Sequence, residues 1–149
     1  MKEKVKELRV YLDACVQLCT KTPQKSGEIT LAWRNLQMAK GWLGKLLAEI
    51  GNEPSPYTPA DEIKNIPPTA DVAGKLPIPP ADHLGYINYM RDRLKEGCID
   101  CDNLYSLVLK FGPYSKRTSD YCVDNTHRHI EEASMCLGLE LARLRDMGQ

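Results

Sequence analysis

Aromatic residues are scarce in this chain: 149 residues hold one Phe, and the aromatic share is 7%. A core has to be assembled mainly from Leu, Ile, Val, Ala, Met and Cys. Excess charge of either sign is also missing. Twenty basic residues offset twenty acidic ones, for a formal net charge of zero. Binders of DNA or RNA polymers carry a basic excess or stripe, so neither polymer is an expected partner. A small anion needs only a local cluster and stays in play. Long apolar runs are absent too. The N-terminal MKEKVKELRV alternates charged and apolar residues, with no signal-peptide core and no membrane span. The expected compartment is therefore the cytosol, where thiols stay reduced, and Cys15, Cys19, Cys98, Cys101, Cys122 and Cys136 read first as free thiols. Catalytic signatures are lacking as well: no paired-carboxylate motif, no G-x-S-x-G, no phosphate-binding glycine loop and no H-E-x-x-H. An enzyme is not expected, and no cofactor is implied.

What is present is helical periodicity. Hydrophobic residues at 42% and charged residues at 27% are globular proportions. Val5, Leu8, Leu12, Cys15 and Cys19 advance by three and four, the stripe of an amphipathic helix. Thr22-Pro23 ends it, because the residue before proline is pushed out of the helical region. Ser26 is a candidate N-cap with Glu28 in the first turn, and Ala32, Leu36, Ala39, Leu43, Leu47 and Ile50 form a second stripe that stops at Gly51. Eight of the ten prolines fall between Gly51 and Ala81, which makes that segment a semi-rigid spacer. A third helix is expected over Asp82–Lys110, with Gly97 its weak point. After Phe111-Gly112-Pro113 a fourth carries Val123, Ile130, Ala133, Leu137, Leu141 and Leu144, capped by Ser115, Thr118 or Ser119. The expected fold is all-α: two antiparallel helical hairpins, 1–50 and 82–149, joined by a Pro-rich linker, 51–81.

Laying residues 33–50 over 127–144 matches Arg34 with Arg128, Ala39 with Ala133, Leu43-Gly44 with Leu137-Gly138, and Leu47-Ala48 with Leu141-Ala142. Shared Leu and Ala are common to amphipathic helices. Coincident glycines are less so, since Gly within a helix costs about 1 kcal/mol relative to Ala. An internal duplication is expected, with the glycines admitting a close backbone approach.

Two kinds of binding chemistry can be weighed. Cys98-Ile99-Asp100-Cys101, with Cys122, His127 and His129 downstream, raises a zinc site. The second pair has no usual ligand spacing, and both Cys98 and Cys101 sit on an apolar stripe, so packed thiols are expected and no metal. The first interhelical turn, Thr20 to Gly27, gathers Lys21, Lys25 and Ser26 at a helix start, where free N–H groups favour an anion. The second turn repeats the pattern with Lys116 and Arg117. Solvated polar turns would look the same. Tyr11, Trp33, Trp42, Tyr86, Tyr89 and Tyr105 offer rings that can stack on a base or pack in a core.

The segment KSGEITLAWRNLQMAKGWLGKLLAEIG resembles the second helix of a phage helical-hairpin family that includes the anti-CBASS sponges for cyclic oligonucleotides and the hairpin portion of anti-Thoeris sponges for cyclic ADP-ribose isomers. Ser26, Glu28, Leu31, Ala32, Leu36, Gln37, Ala39, Lys40, Trp42, Leu43 and Gly44 carry the likeness over about 27 residues. The resemblance implies an all-helical homo-oligomer, a trimer or hexamer, with nucleotide pockets between neighbouring hairpins. It implies a protein that sequesters a cyclic nucleotide immune signal in the cytoplasm of the infected bacterial host without cleaving it. Tyr11 would then stack on a base, Lys25 and Ser26 would hold phosphate, and Arg34 and Lys40 would assist. One departure is Gly27, where the family has arginine. A helical protein-interaction module with no small ligand is the alternative.

Overall fold

A computed structural model describes residues 2–50, 78–110 and 116–148, with side chains described over 3–48, 78–107 and 121–148. These residues form four helices: α1 (Lys2–Thr20), α2 (Gly27–Ile50), α3 (His83–Lys110) and α4 (Lys116–Asp146). Each stripe seen in the sequence becomes a buried face. Val5, Leu8, Leu12, Cys15 and Cys19 are buried on α1; Ala32, Leu36, Ala39 and Leu43 are fully buried on α2. Ile87, Met90, Leu94 and Cys101 do the same for α3, and Ile130, Ala133 and Leu137 for α4.

The helix ends follow the local chemistry. The Oγ of Ser26 accepts the N–H of Ile29 at 3.3 Å, so Ser26 is the N-cap of α2. Asp82 caps α3, accepting from the N–H of Gly85 at 2.8 Å. At the end of α1, Thr22 Oγ1 donates to the carbonyl of Cys19 at 3.3 Å and Thr20 Oγ1 to that of Gln17 at 2.8 Å. These bonds satisfy acceptors that the last turn leaves open.

Among the described residues α1 packs on α2 and α3, and α4 packs on α2 and α3, while the α1–α4 and α2–α3 backbones make no close approach. The helices thus form a square bundle in the order α1, α2, α4, α3. Tyr86 reaches Leu18 while Tyr11 reaches Arg93, so α1 and α3 run antiparallel. Ser26 meets Glu140 and Asn35 meets His129, so α2 and α4 do too. One end of the bundle, the cap end, gathers the end of α1, the starts of α2 and α3 and the end of α4. Both hairpins feed one continuous core.

Three sequence expectations are altered here, and a fourth lies outside the described residues. Gly97 does not interrupt α3; it is buried, with the Tyr11 ring edge 3.7 Å and Ile130 3.8 Å from where a Cβ would stand. Thr118 and Ser119 lie inside α4 rather than capping it, because the helix already runs from Lys116. At Gly138 the Arg91 guanidinium lies 3.6 Å from where a Cβ would stand, a side chain and not another backbone. The Pro-rich linker and the Gly51 stop fall on 51–77, outside the described residues.

Candidate functional site

The residues singled out in the sequence do not converge on one place. Lys21, Lys25 and Ser26 sit at the cap end, whereas Lys116 and Arg117 open α4 at the opposite end, their side chains outside the described residues. Arg34 is exposed on α2. Lys40 is tied down within the bundle: its ammonium donates to Asp13 Oδ1 on α1 at 2.6 Å, with both side chains largely covered. Lys25 turns back to the carbonyl of Thr20 at 2.5 Å, shielding the end of α1.

Tyr11 lies in the seam between α1 and α3. Its hydroxyl donates to the Arg93 carbonyl at 2.7 Å and lies 3.0 Å from Glu96 Oε2, and burial raises its pKa. Below it the seam opens into a cavity of about 320 Å³ lined by Lys4, Glu7, Leu8 and Tyr11 from α1 and by Asp100, Asn103, Leu104 and Leu107 from α3. Leucines form its apolar part, while one cation and two carboxylates supply its charge. Burial, and then Glu96, pushes the Asp100 carboxyl up from the usual carboxylate range. Above Tyr11 the same seam has a different character. Arg93 stacks on Tyr89, 5.0 Å from the ring centroid, and pairs with Glu96 at 3.3 Å. Tyr86 donates to the Leu18 carbonyl at 2.7 Å, and its phenol is pushed up to about 12 by burial.

The cap end also encloses a polar cluster that the sequence did not flag. Glu140 is fully buried, accepts from Ser26 Oγ and from Arg143 Nε (2.7 Å), and faces His83 Nε2 at 4.0 Å. An internal carboxylate thus occupies the start of α2, where an anion is favoured. Both ring nitrogens of the buried His83 lack a hydrogen-bond partner among the described residues, and desolvation lowers its pKa. The available signal was the overlay of the two hairpins, which sets Glu140 against Leu46.

His127 contacts Asp102 on α3 at 3.4 Å and Glu131 at 2.6 Å, whereas His129 contacts Asn35 on α2 at 3.1 Å, so the two point to different helices. Among the described residues no three His, Cys, Asp or Glu side chains gather as a metal site, so the Cys98–His129 set does not assemble. All six cysteines are free, and burial pushes the Cys98 thiol up to about 11 and Cys19 to about 12. Thiols held protonated are poor nucleophiles. No described helix is long and apolar enough to cross a membrane. No family model, no curated protein and no solved structure matches the chain.

Proposed function

We propose that the protein is a phage-encoded sponge that binds a cyclic nucleotide immune signal, a cyclic di- or trinucleotide or a cyclic ADP-ribose isomer, and sequesters it uncleaved in the host cytoplasm. The observation that carries this reading is the position of Tyr11, the residue to which the resemblance gives base stacking, on the wall of the α1–α3 cavity. Its volume, about 320 Å³, falls in the range of small-ligand sites. Glu7, Asp100 and Asn103 suit the amino groups of a base and the hydroxyls of a ribose, and Leu8, Leu104 and Leu107 suit its faces. Sequestration needs tight binding and no chemistry.

Calorimetry with a panel of cyclic di- and trinucleotides and cyclic ADP-ribose isomers tests the proposal. Saturable heat is expected for at least one; silence across the panel at micromolar protein would sink it. Tyr11→Ala is expected to weaken binding about tenfold or more, in line with ~1–3 kcal/mol for one stacked base, while Tyr11→Phe keeps the ring and most of the affinity.

A second reading, a helical protein-interaction or assembly module with no small-molecule ligand, is favoured by one observation. Leu31 and Met38 on α2 and Tyr121, Met135 and Leu139 on α4 stand about half exposed along two packed helices. Apolar side chains grouped this way mark interaction surfaces. Light scattering distinguishes the two: a trimer or hexamer fits the sponge family, and a stable complex with another protein fits the module.

A further inference from the structure

Helix α1 is buried on more sides than its helical neighbours account for. Among the described helices it packs on α2 and α3 alone, and its side chains show where each lies. Leu12 is fully buried in the core, Asp13 reaches Lys40 on α2, and Tyr11 reaches Arg93 on α3. Two positions beyond Leu12, Ala14 is turned about 200° around the helix, away from both neighbours. It is nevertheless 1% exposed, and Leu18, one turn further, is 8% exposed. Leu12 to Val16 are buried without a break, which is more than a full turn. A helix at the corner of a square leaves its outer side to water, as α4 does. There Tyr121, Met135 and Leu139 are more than half exposed, and no buried run exceeds two described residues. The composition of α1 agrees with its burial: Val10, Ala14 and Leu18 step by four and form a second apolar stripe opposite the first.

The topology says which part of the chain can lie there. Residues 51–77 lead from the end of α2 to Ile78, just ahead of α3. Helix α2 finishes at the end of the bundle opposite the cap end, α3 begins at the cap end, and the two stand on a diagonal. The connecting chain therefore has to return the length of the bundle, with α1 or α4 between its two ends. Its extended reach, about 90 Å, is more than twice the ~36 Å length of α2. It carries apolar side chains to bury, among them Ile63, Ile66, Val72 and Leu76. Of the two intervening helices, α4 keeps its outer side open and α1 does not. The other connection, 111–115, joins α3 to α4 at the opposite end, whereas Ala14 and Leu18 lie towards the cap end.

We propose that the outer face of α1, centred on Val10, Ala14 and Leu18, is the docking surface of the chain's own 51–77 segment, so that the connection between the hairpins passes over α1 and not over α4. The face of α1 is then closed to other partners, and the apolar side chains Leu31, Met38, Tyr121 and Leu139 on α2 and α4 remain the open surface. The proposal is independent of the sponge reading and holds whether or not a nucleotide binds.

Two measurements on the full-length chain test it. In the isotope-labelled parent, nuclear Overhauser contacts are expected from the methyls of Val10, Ala14 and Leu18 to residues within 51–77. In limited trypsin digestion, cleavage after Lys64 and Lys75 reports how freely the segment leaves its surface. Ala14→Glu is expected to speed cleavage at both sites at least tenfold with an unchanged helical spectrum, while Met38→Glu on the open side of α2 leaves it within twofold. The proposal is overturned if Ala14 and Leu18 show no contact with 51–77, or if a mixed-label sample shows that their contacts come from a second copy of the chain. It is equally overturned if Ala14→Glu, still helical, leaves cleavage unchanged, or if Met38→Glu is the variant that accelerates it. Should Ala14→Glu fail to fold, the contacts in the parent chain decide alone.

Discussion

Glu140 and His83 show what single residues do in this bundle. A carboxylate with 0% exposure would be very costly alone, but Ser26 and Arg143 both donate to it. Glu140→Ala leaves a void and strips Arg143 of its partner, and is expected to cost about 3 kcal/mol, the low end for breaking a buried pair because Arg143 can turn to water. Glu140→Leu places there the residue type that the hairpin overlay sets against it, Leu46, and is expected to cost clearly less. Urea denaturation of both variants checks the order. His83 gives a pH dependence of defined sign. Its pKa is lowered in the folded state, so the folded protein takes up its proton less readily than the unfolded chain. Stability is therefore full above the ordinary histidine value of about 6.5 and falls as pH drops below it. The unfolding midpoint is expected to fall between about pH 7 and pH 5.5, and His83→Phe should flatten that decline.

For the helices, glycine positions separate propensity from packing. Gly41 sits in α2 with nothing within 4 Å of a built Cβ. Gly41→Ala is expected to stabilise by about 0.5–1 kcal/mol through helix propensity alone. Gly97 has Tyr11 and Ile130 at ordinary contact distance, so alanine fits there too, whereas Gly97→Leu would drive into both and is expected to cost about 1–3 kcal/mol. Thermal melts of the three variants should rise, rise and fall. The α1–α2 pair also has a polar tie, Lys40–Asp13, beside the buried Arg9. Burial lowers the Arg9 pKa to about 10, against the pull of Asp13, and the guanidinium remains charged at neutral pH.

For the whole molecule, antiparallel neighbours around a square let each helix bury one face without a partner chain. The contacts Tyr11–Arg93 and Asn35–His129 lie at the middle of the two inter-hairpin seams. The overlay of residues 33–50 on 127–144 sets Asn35 against His129; if a two-fold axis relates the hairpins, this pair exchanges with itself and swapping it should be nearly silent. The swap Asn35→His, His129→Asn is expected to unfold within about 0.5 kcal/mol of the parent, whereas either single change should cost more because it removes the matched pair. A swap as damaging as the sum of its singles would argue against the axis.

Periodicity in the sequence determined the helices themselves: steps of three and four, interrupted at Thr22-Pro23 and Phe111-Gly112-Pro113, suffice because a helix is a local, i to i+4 structure. Ser26 as a cap was legible for the same reason. What the sequence left open was which lysines are free and which are spent. Lys40 and Lys25 look alike along the chain, yet packing of α1 on α2 sets Asp13 against Lys40, while Lys25 turns back onto the carbonyl of Thr20. Glu140 hid at the edge of an apolar stripe, since nothing local reveals that a neighbouring helix brings Ser26 to it. The seam at Tyr11 could not be foreseen either: its cavity joins residues about ninety positions apart, and only the antiparallel packing of α1 on α3 brings them together.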